Sequence, residues 1–259
     1  MDAVARFTEL VGTGEPPLDR AALALARGAE PELDEARWLA ELDRLAEGVD
    51  GLDGLLHRLF VESGFRGNAD DYYDPRNSLL PHVLTRRLGI PITLAVVCIE
   101  VGRRAGVALH GVGMPGHFLV GHSAVPRSDT LIDVFDGGRV LDAAAAEARF
   151  RAVAGSGVPF GPHLLSPTPT TAILARMLEN LRGIYRARGR PGSLEWVLRM
   201  RLALPGAGPA ELVELADALG QQARWHEGAR LLEEHAPAAE PGLREQLLTV
   251  AKMQRAHLN

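Results

Sequence analysis

Cysteine is nearly missing from this chain. Its 259 residues carry one, Cys98, which excludes an internal disulfide scaffold and any cysteine-rich zinc site. Lysine is as scarce: Lys252 stands alone, so almost all positive charge rests on arginine. Nor is there a basic excess. The 28 Lys and Arg against 33 Asp and Glu leave a formal net charge of −5, which argues against nonspecific nucleic-acid binding. No apolar run approaches the roughly 18 residues of a membrane span. The opening MDAVARFTELVGTGEPP has no basic stretch followed by an apolar one. No signal peptide is read there, and a cytoplasmic location is expected. What the chain does have is 46% hydrophobic residues, enough for a core in one large or two modest domains.

Three helices are read between residues 18 and 62. Ala, Leu and Arg dominate 18–48 and favour that state. Pro31 splits the run in two, with Asp19 and Asp34 as candidate caps near the two starts. A third helix is expected over 51–62. The texture then changes to NADDYYDPRNS at 68–78, too polar for a core helix. Helix resumes over 79–88 and, by length and apolar spacing, over 92–105, where Pro91 suits a first helical position. Short strands are expected at 107–113, 117–121 and 130–135, joined by turn residues into an antiparallel meander. A helix within 142–153 follows.

Residues 154–170 are rich in Gly, Ser, Pro and Thr and read as a linker or surface loop. Beyond them, helices are expected at 171–188, 191–203, 208–219 and 225–235. Leu178, Leu181 and Tyr185 recur 34 residues on as Leu212, Leu215 and Leu219, and Leu198 recurs as Leu232. That is the period of tetratricopeptide helical hairpins. The tight-crossing position is Leu194 in the first unit and Gly228 in the second, so the pattern is imperfect.

Several residues are candidates for chemistry. His117 follows a Pro-Gly turn at the start of one strand, and Asp133 lies on the next. A carboxylate so placed can fix an imidazole tautomer, as in nucleophilic triads, or the two can form a structural pair. Cys98 is the obvious nucleophile by type, but it sits two turns into its helix on the face of Leu94 and Val101, the setting of a small buried hydrophobe. Thr93, at the helix start, can cap the helix, line a wall or, if strongly activated, attack a carbonyl. Ser78 has the same ambiguity.

In DDYYDPRNS, Asp70, Asp71 and Asp74 are either turn formers or cation ligands, without a calcium-loop pattern. A groove wall of Asp71, Tyr72, Tyr73, Asp74, Arg76 and Asn77 is the other reading. There the tyrosines offer aromatic surface and Arg76 a fork for a carboxylate. His82, His110, His117 and His122 have no zinc spacing. No metal and no cofactor is expected.

The stretch GFRGNADDYYDPRNSLLPHVLTRRLGIPITLAVVCIEVGRRAGVALHGVGMPGHFLV at 64–120, followed by LIDVFDGG at 131–138, resembles the bacterial SirB1 family. These are transglutaminase-like proteins with C-terminal tetratricopeptide-like repeats. The resemblance implies an α+β fold with a papain-related core. N-terminal helices at 1–63 would pack on a transglutaminase-like core at 64–155, followed by a linker at 156–170 and an all-α repeat region at 171–259. It also implies that His117 and Asp133 stand where active superfamily members keep their His and Asp. The helix start that carries the cysteine in those members falls at GIPIT, which has none.

The expected function is therefore that of a catalytically degenerate transglutaminase-like protein acting as a peptide-binding, protein-binding or regulatory scaffold. The alternative is a hydrolase or protease using His117 and Asp133 with Thr93 or a bound water as nucleophile. A protein or peptide partner is expected, with no nucleic acid and no membrane; oligomeric state is not legible.

Overall fold

The computed structural model describes residues 2–12, 14–123, 129–155 and 160–257. Residues 156–159 of the expected linker lie outside these. The chain divides into two compact units, Glu15–Met177 and Met1–Gly14 with Leu178–Asn259.

Helix α1 (Ala3–Val11) belongs to the second of these and was not foreseen from the sequence. The Glu15–Met177 unit opens with α2 (Leu18–Ala26) and α3 (Glu35–Ala46), separated as Pro31 requires. Asp34 caps α3, accepting from the amides of Ala36 and Arg37 at 3.1 and 3.3 Å. Asp19 is no cap. Pro17 holds that position, and Asp19 is buried on arginines from a distant helix. Next comes α4 (Gly51–Leu56), which widens into a π-helical turn over His57–Glu62. Two short strands, β1 (Arg66–Gly67) and β2 (Leu88–Gly89), pair in parallel around α5 (Leu80–Arg86). This pair, too, was absent from the sequence expectations.

Helix α6 (Pro91–Arg104) is the central element, packed on α2, α3, α5 and the sheet. Every residue from Pro91 to Cys98 is buried, which marks a helix apolar all round its first two turns. The sheet is an antiparallel meander of β3 (Leu109–Met114), β4 (His117–Ser123), β5 (Asp129–Asp133) and β6 (Arg139–Leu141). Strand β6 was not expected, and β5 ends at Asp133 instead of running to 135. The reason lies in the turn after it, where the backbone amides of Phe135 and Asp136 bond to the Asp133 side chain instead of a strand. One sheet face packs Val112, Leu119 and Leu131 against Ala146 and Phe150 of α7 (Ala143–Ala154). Leu109, on the other face, meets α6 so closely that a Cβ at Gly102 would lie 2.8 Å from its Cδ1.

Helix α8 (Thr170–Ala187) crosses the boundary between the units. Beyond it the second unit consists of α9 (Pro191–Leu202), α10 (Pro209–Gly220), α11 (Trp225–His235) and α12 (Pro241–Ala256), the last unforeseen. Gly228 of α11 lies against α10, where a Cβ would come 3.0 Å from the Ala216 carbonyl oxygen. The architecture is thus α+β, with N-terminal helices, a small β core and an all-α C-terminal region.

Cys98 has no solvent exposure, and burial pushes its thiol up to about 12. At that value almost no reactive thiolate exists near neutral pH. Cys98→Ser, which places a hydroxyl in this apolar site, is expected to cost roughly 1–3 kcal/mol in denaturant unfolding. Native protein should label with thiol reagents only as fast as it opens, and prompt labelling would contradict the assignment.

Candidate functional site

The register pairs Gly121 with Leu131. By strand alternation His117 and Leu119 then share a face with Leu131 and Asp133, the face that α7 covers. On it, His117 Nε2 donates to Asp133 Oδ2 at 2.9 Å. The same oxygen ion-pairs with Arg149 Nε of α7 at 2.9 Å. The other carboxylate oxygen accepts from the amides of Phe135 and Asp136, both at 3.1 Å. Asp133 has no exposure at all. Burial alone would raise its pKa. The His117 hydrogen bond, His117 and Arg149 charge and the Asp136 amide outweigh it, so the carboxyl lies below its usual value. An ionised carboxylate only accepts, so the neutral imidazole carries its proton on Nε2. No hydrogen bond is made to Nδ1 by the described residues.

The strand carrying His117 is fixed from behind. Arg176 of α8 donates to the carbonyls of Met114 and His117, both at 3.0 Å, and its guanidinium lies 5.4 Å from the centre of the Phe118 ring. These two carbonyls flank the Pro115–Gly116 turn, so one side chain staples the hairpin. Sequence reasoning missed both Arg149 and Arg176. Neither sits in a local motif, and only tertiary structure brings them to the hairpin.

Thr93 makes no hydrogen bond to this pair. It is wholly buried on α6, which packs on the opposite face of the sheet, and its hydroxyl has no hydrogen-bond partner. The helix has no side-chain cap, so the capping role expected for Thr93 is corrected. Its Oγ1 is turned into the core instead. The Ser78 hydroxyl is buried and unpartnered likewise.

The 68–78 segment divides by side chain. Asn77 is buried and donates to the carbonyls of Asp71 and Tyr72 at 2.7 and 3.2 Å, while its own oxygen accepts from Asn68 and Arg86. Buried Asp74 accepts from the Arg76 amide and side chain and ion-pairs with Arg86. Both therefore hold the loop from within. Asp71 and Arg76 stay at the surface. Tyr72 and Tyr73 are 39% and 72% exposed, stacked edge-to-face at 5.4 Å. Tyr72 also lies 6.0 Å from the ring of Phe135, two residues beyond Asp133. Phe135 in turn occupies the space above Gly67, where a Cβ would come within 2.5 Å of its ring. A strip of aromatic surface thus adjoins the turn that Asp133 organises.

Among the described residues, no three His, Cys, Asp or Glu side chains gather as metal ligands would. His82 instead pairs with Glu30 at 2.5 Å. No described helix is long and apolar enough to cross a membrane.

Residues 20–179 match the transglutaminase-like superfamily. The chain belongs to that superfamily. Its relatives include a UPF0162 protein of Xylella fastidiosa, 40% identical over 190 residues, which are 67% of this chain and 66% of that protein. A UPF0162 protein of Pseudomonas aeruginosa is 36% identical over 68% of each chain. A shorter match, 40% identical over 85 residues, reaches F-box only protein 21 of Mus musculus; it spans 33% of this chain and 13% of that protein. The chain spans just under two thirds of the Xylella protein's length. As a superfamily member it has a distinctive gap: no cysteine stands at the start of α6, and its one cysteine is buried further along.

Asp133→Ala removes a buried partner from His117, Arg149 and two amides, and is expected to cost about 3–5 kcal/mol. The native carboxyl lies below its unfolded value. Its contribution is therefore complete above the unfolded pKa of about 3.9 and fades as pH falls through the lower native value. Chemical denaturation from about pH 6 down to about pH 2 should show that loss in wild type and a shallower loss in Asp133→Ala. Equal slopes would contradict the assignment.

Proposed function

We propose that this chain is a binding module on a transglutaminase-like framework, recognising a peptide or protein segment without cleaving or crosslinking it. The observation carrying this reading is the start of α6, where Ile90, Pro91, Ile92 and Thr93 are all buried and no thiol is present. Acyl transfer through a thioester needs a thiolate beside its histidine. The paired His117 and Asp133 then serve as scaffold, and exposed Tyr72 and Tyr73 serve as contact surface, since tyrosine gives large amphipathic area at low entropic cost.

A second surface is proposed on the helical region. Helices α9 and α11 begin at Pro191 and Trp225, 34 residues apart, and Gly228 allows the close crossing of α10 and α11. Both features support a tetratricopeptide-like reading of 171–259, in keeping with the SirB1-like resemblance. A regulatory role in the cytoplasm, with transglutaminase-like core residues 64–155, fits this account.

One observation favours a second reading. His117 Nδ1 is free while Asp133 orients the ring, the arrangement of a general base. With the Thr93 hydroxyl buried, a bound water is the nucleophile this hydrolase reading would use.

The deciding assay measures amide crosslinking and peptide hydrolysis by wild type, Thr93→Ala, Cys98→Ala and His117→Ala. No turnover by any of them is expected. Wild-type turnover that disappears in His117→Ala would install the hydrolase reading. In parallel, the paired substitution Tyr72→Ser with Tyr73→Ser should keep the chain folded, at a modest stability cost from the lost ring contacts, and lower partner retention on the immobilised full chain by about tenfold. Undiminished retention would remove the tyrosines from the contact surface.

A further inference from the structure

A cleft of about 960 Å³ opens in the Glu15–Met177 unit at the other end of α6. Glu100 lies seven residues beyond Thr93, about 10 Å along the helix, and neither Tyr72 nor Tyr73 lines this cleft. Its floor is charged. Arg104 donates to Asp19 at 2.6 Å, to Asp43 at 2.6 Å and to Glu100 at 2.8 Å. Arg103 donates to Glu100 at 2.9 Å and to Asp19 at 3.1 Å. Asp19 and Glu100 are 4% and 3% exposed. Three carboxylates thus share two guanidiniums, so the fully ionised cluster carries one negative charge in excess.

The vacancy can be assigned to an atom. Both arginines meet Glu100 through Oε2. No hydrogen bond reaches Oε1, yet that oxygen is not among the side-chain atoms sealed from solvent. A nearly buried glutamate therefore lines the cleft with one acceptor open. The wall beside it is aliphatic, with Leu18, Leu39, Ile99, Leu109 and Ile173.

We propose that this cleft binds a primary alkylammonium group, whose charge meets Glu100 Oε1 and whose alkyl chain lies along Leu39, Ile99 and Leu109. An ammonium is a compact charge with three donors, suited to the one carboxylate oxygen that the two guanidiniums leave open. Aliphatic stems cover apolar surface while their charged ends stay paired. Both a free alkylamine and a lysine side chain carry this group.

Burial, then the neighbouring Asp19 charge, push the Glu100 carboxyl above its ordinary value. A proton is thus the natural competitor for the same position. The other charged or titratable groups facing the cleft are Arg103 and Arg104 from α6 itself, Asp19 and Arg20 from α2, Asp43 from α3, His110 from β3 and Glu15 from the preceding segment. Asp19 is held below its usual value, its own burial being outweighed by Arg104, the Arg20 amide and Arg103. It stays ionised while Glu100 exchanges its proton for the guest.

The test is calorimetric titration of the full chain with n-pentylammonium and with Nα-acetyl-lysine methylamide, against 1-pentanol and potassium chloride. Saturable binding at about millimolar strength is expected for at least one ammonium probe and for neither control. Binding of both ammonium probes points to the shared group alone, and binding of the lysine derivative only points to a peptide source. Affinity should rise at least about threefold from about pH 5 to about pH 8, because the guest displaces a proton from Glu100. Glu100→Gln should weaken binding by at least tenfold. Leu39→Lys, which leaves the floor intact and sends its own ammonium into the cleft, should do the same. Equal binding of 1-pentanol, competition by potassium, full affinity in both variants, or no saturation by either ammonium probe would each overturn the proposal.

Discussion

A carboxylate with no exposure must find donors within the protein, and Asp133 finds them on several sides at once. Two are amides of the turn that follows it, which is why β5 stops there. One is the imidazole of His117 on the neighbouring strand, and the last is the Arg149 guanidinium from α7. Removing any of these would leave a buried charge short of compensation, a far larger cost than an exposed ion pair would carry. The turn thus fixed places Phe135 over Gly67 and beside Tyr72. The aromatic surface of the 68–78 loop is set by a carboxylate it never touches.

Helix α6 explains why this arrangement lacks a nucleophile. Its first two turns are sealed into the core, with Thr93 turned inward and Cys98 raised out of the reactive range by burial. Its last turn carries Glu100, Arg103 and Arg104, and there the charge meets α2 and α3. The two ends of one helix have opposite chemistries. The apolar end supports the fold under the sheet, and the charged end borders the cleft.

How much of this could be read in advance depended on sequence range. The helix over 92–105 followed from its length and the shared face of Leu94, Val97, Cys98 and Val101, and Asp34 as a cap followed from its position before an amphipathic run. The His117–Asp133 pair was legible because a short meander leaves adjacent strands few registers. Asp19 misled because an acid in the first turn of a helix suits the helix dipole equally well. Its actual partners lie 84 and 85 residues away. Arg149 and Arg176 were invisible for the same reason. Strand β6 was hidden by its length of three residues. Asp74 was legible as a turn former, and it does accept from the Arg76 amide; Asn77 was read only as groove wall because polar residues in a loop usually face water, and here it satisfies the loop's own backbone from inside.

Asp133 holds His117 in one tautomer with Nδ1 unengaged. Long-range proton–nitrogen correlation spectra of the imidazole in uniformly nitrogen-15-labelled protein, recorded at a pH where the ring is neutral, measure this directly. A single Nε2–H tautomer is expected for His117 in wild type, lost to averaging when Asp133 is replaced by Asn or Ala. A His117 ring carrying its proton on Nδ1, or averaging between both nitrogens in the intact protein, would contradict it.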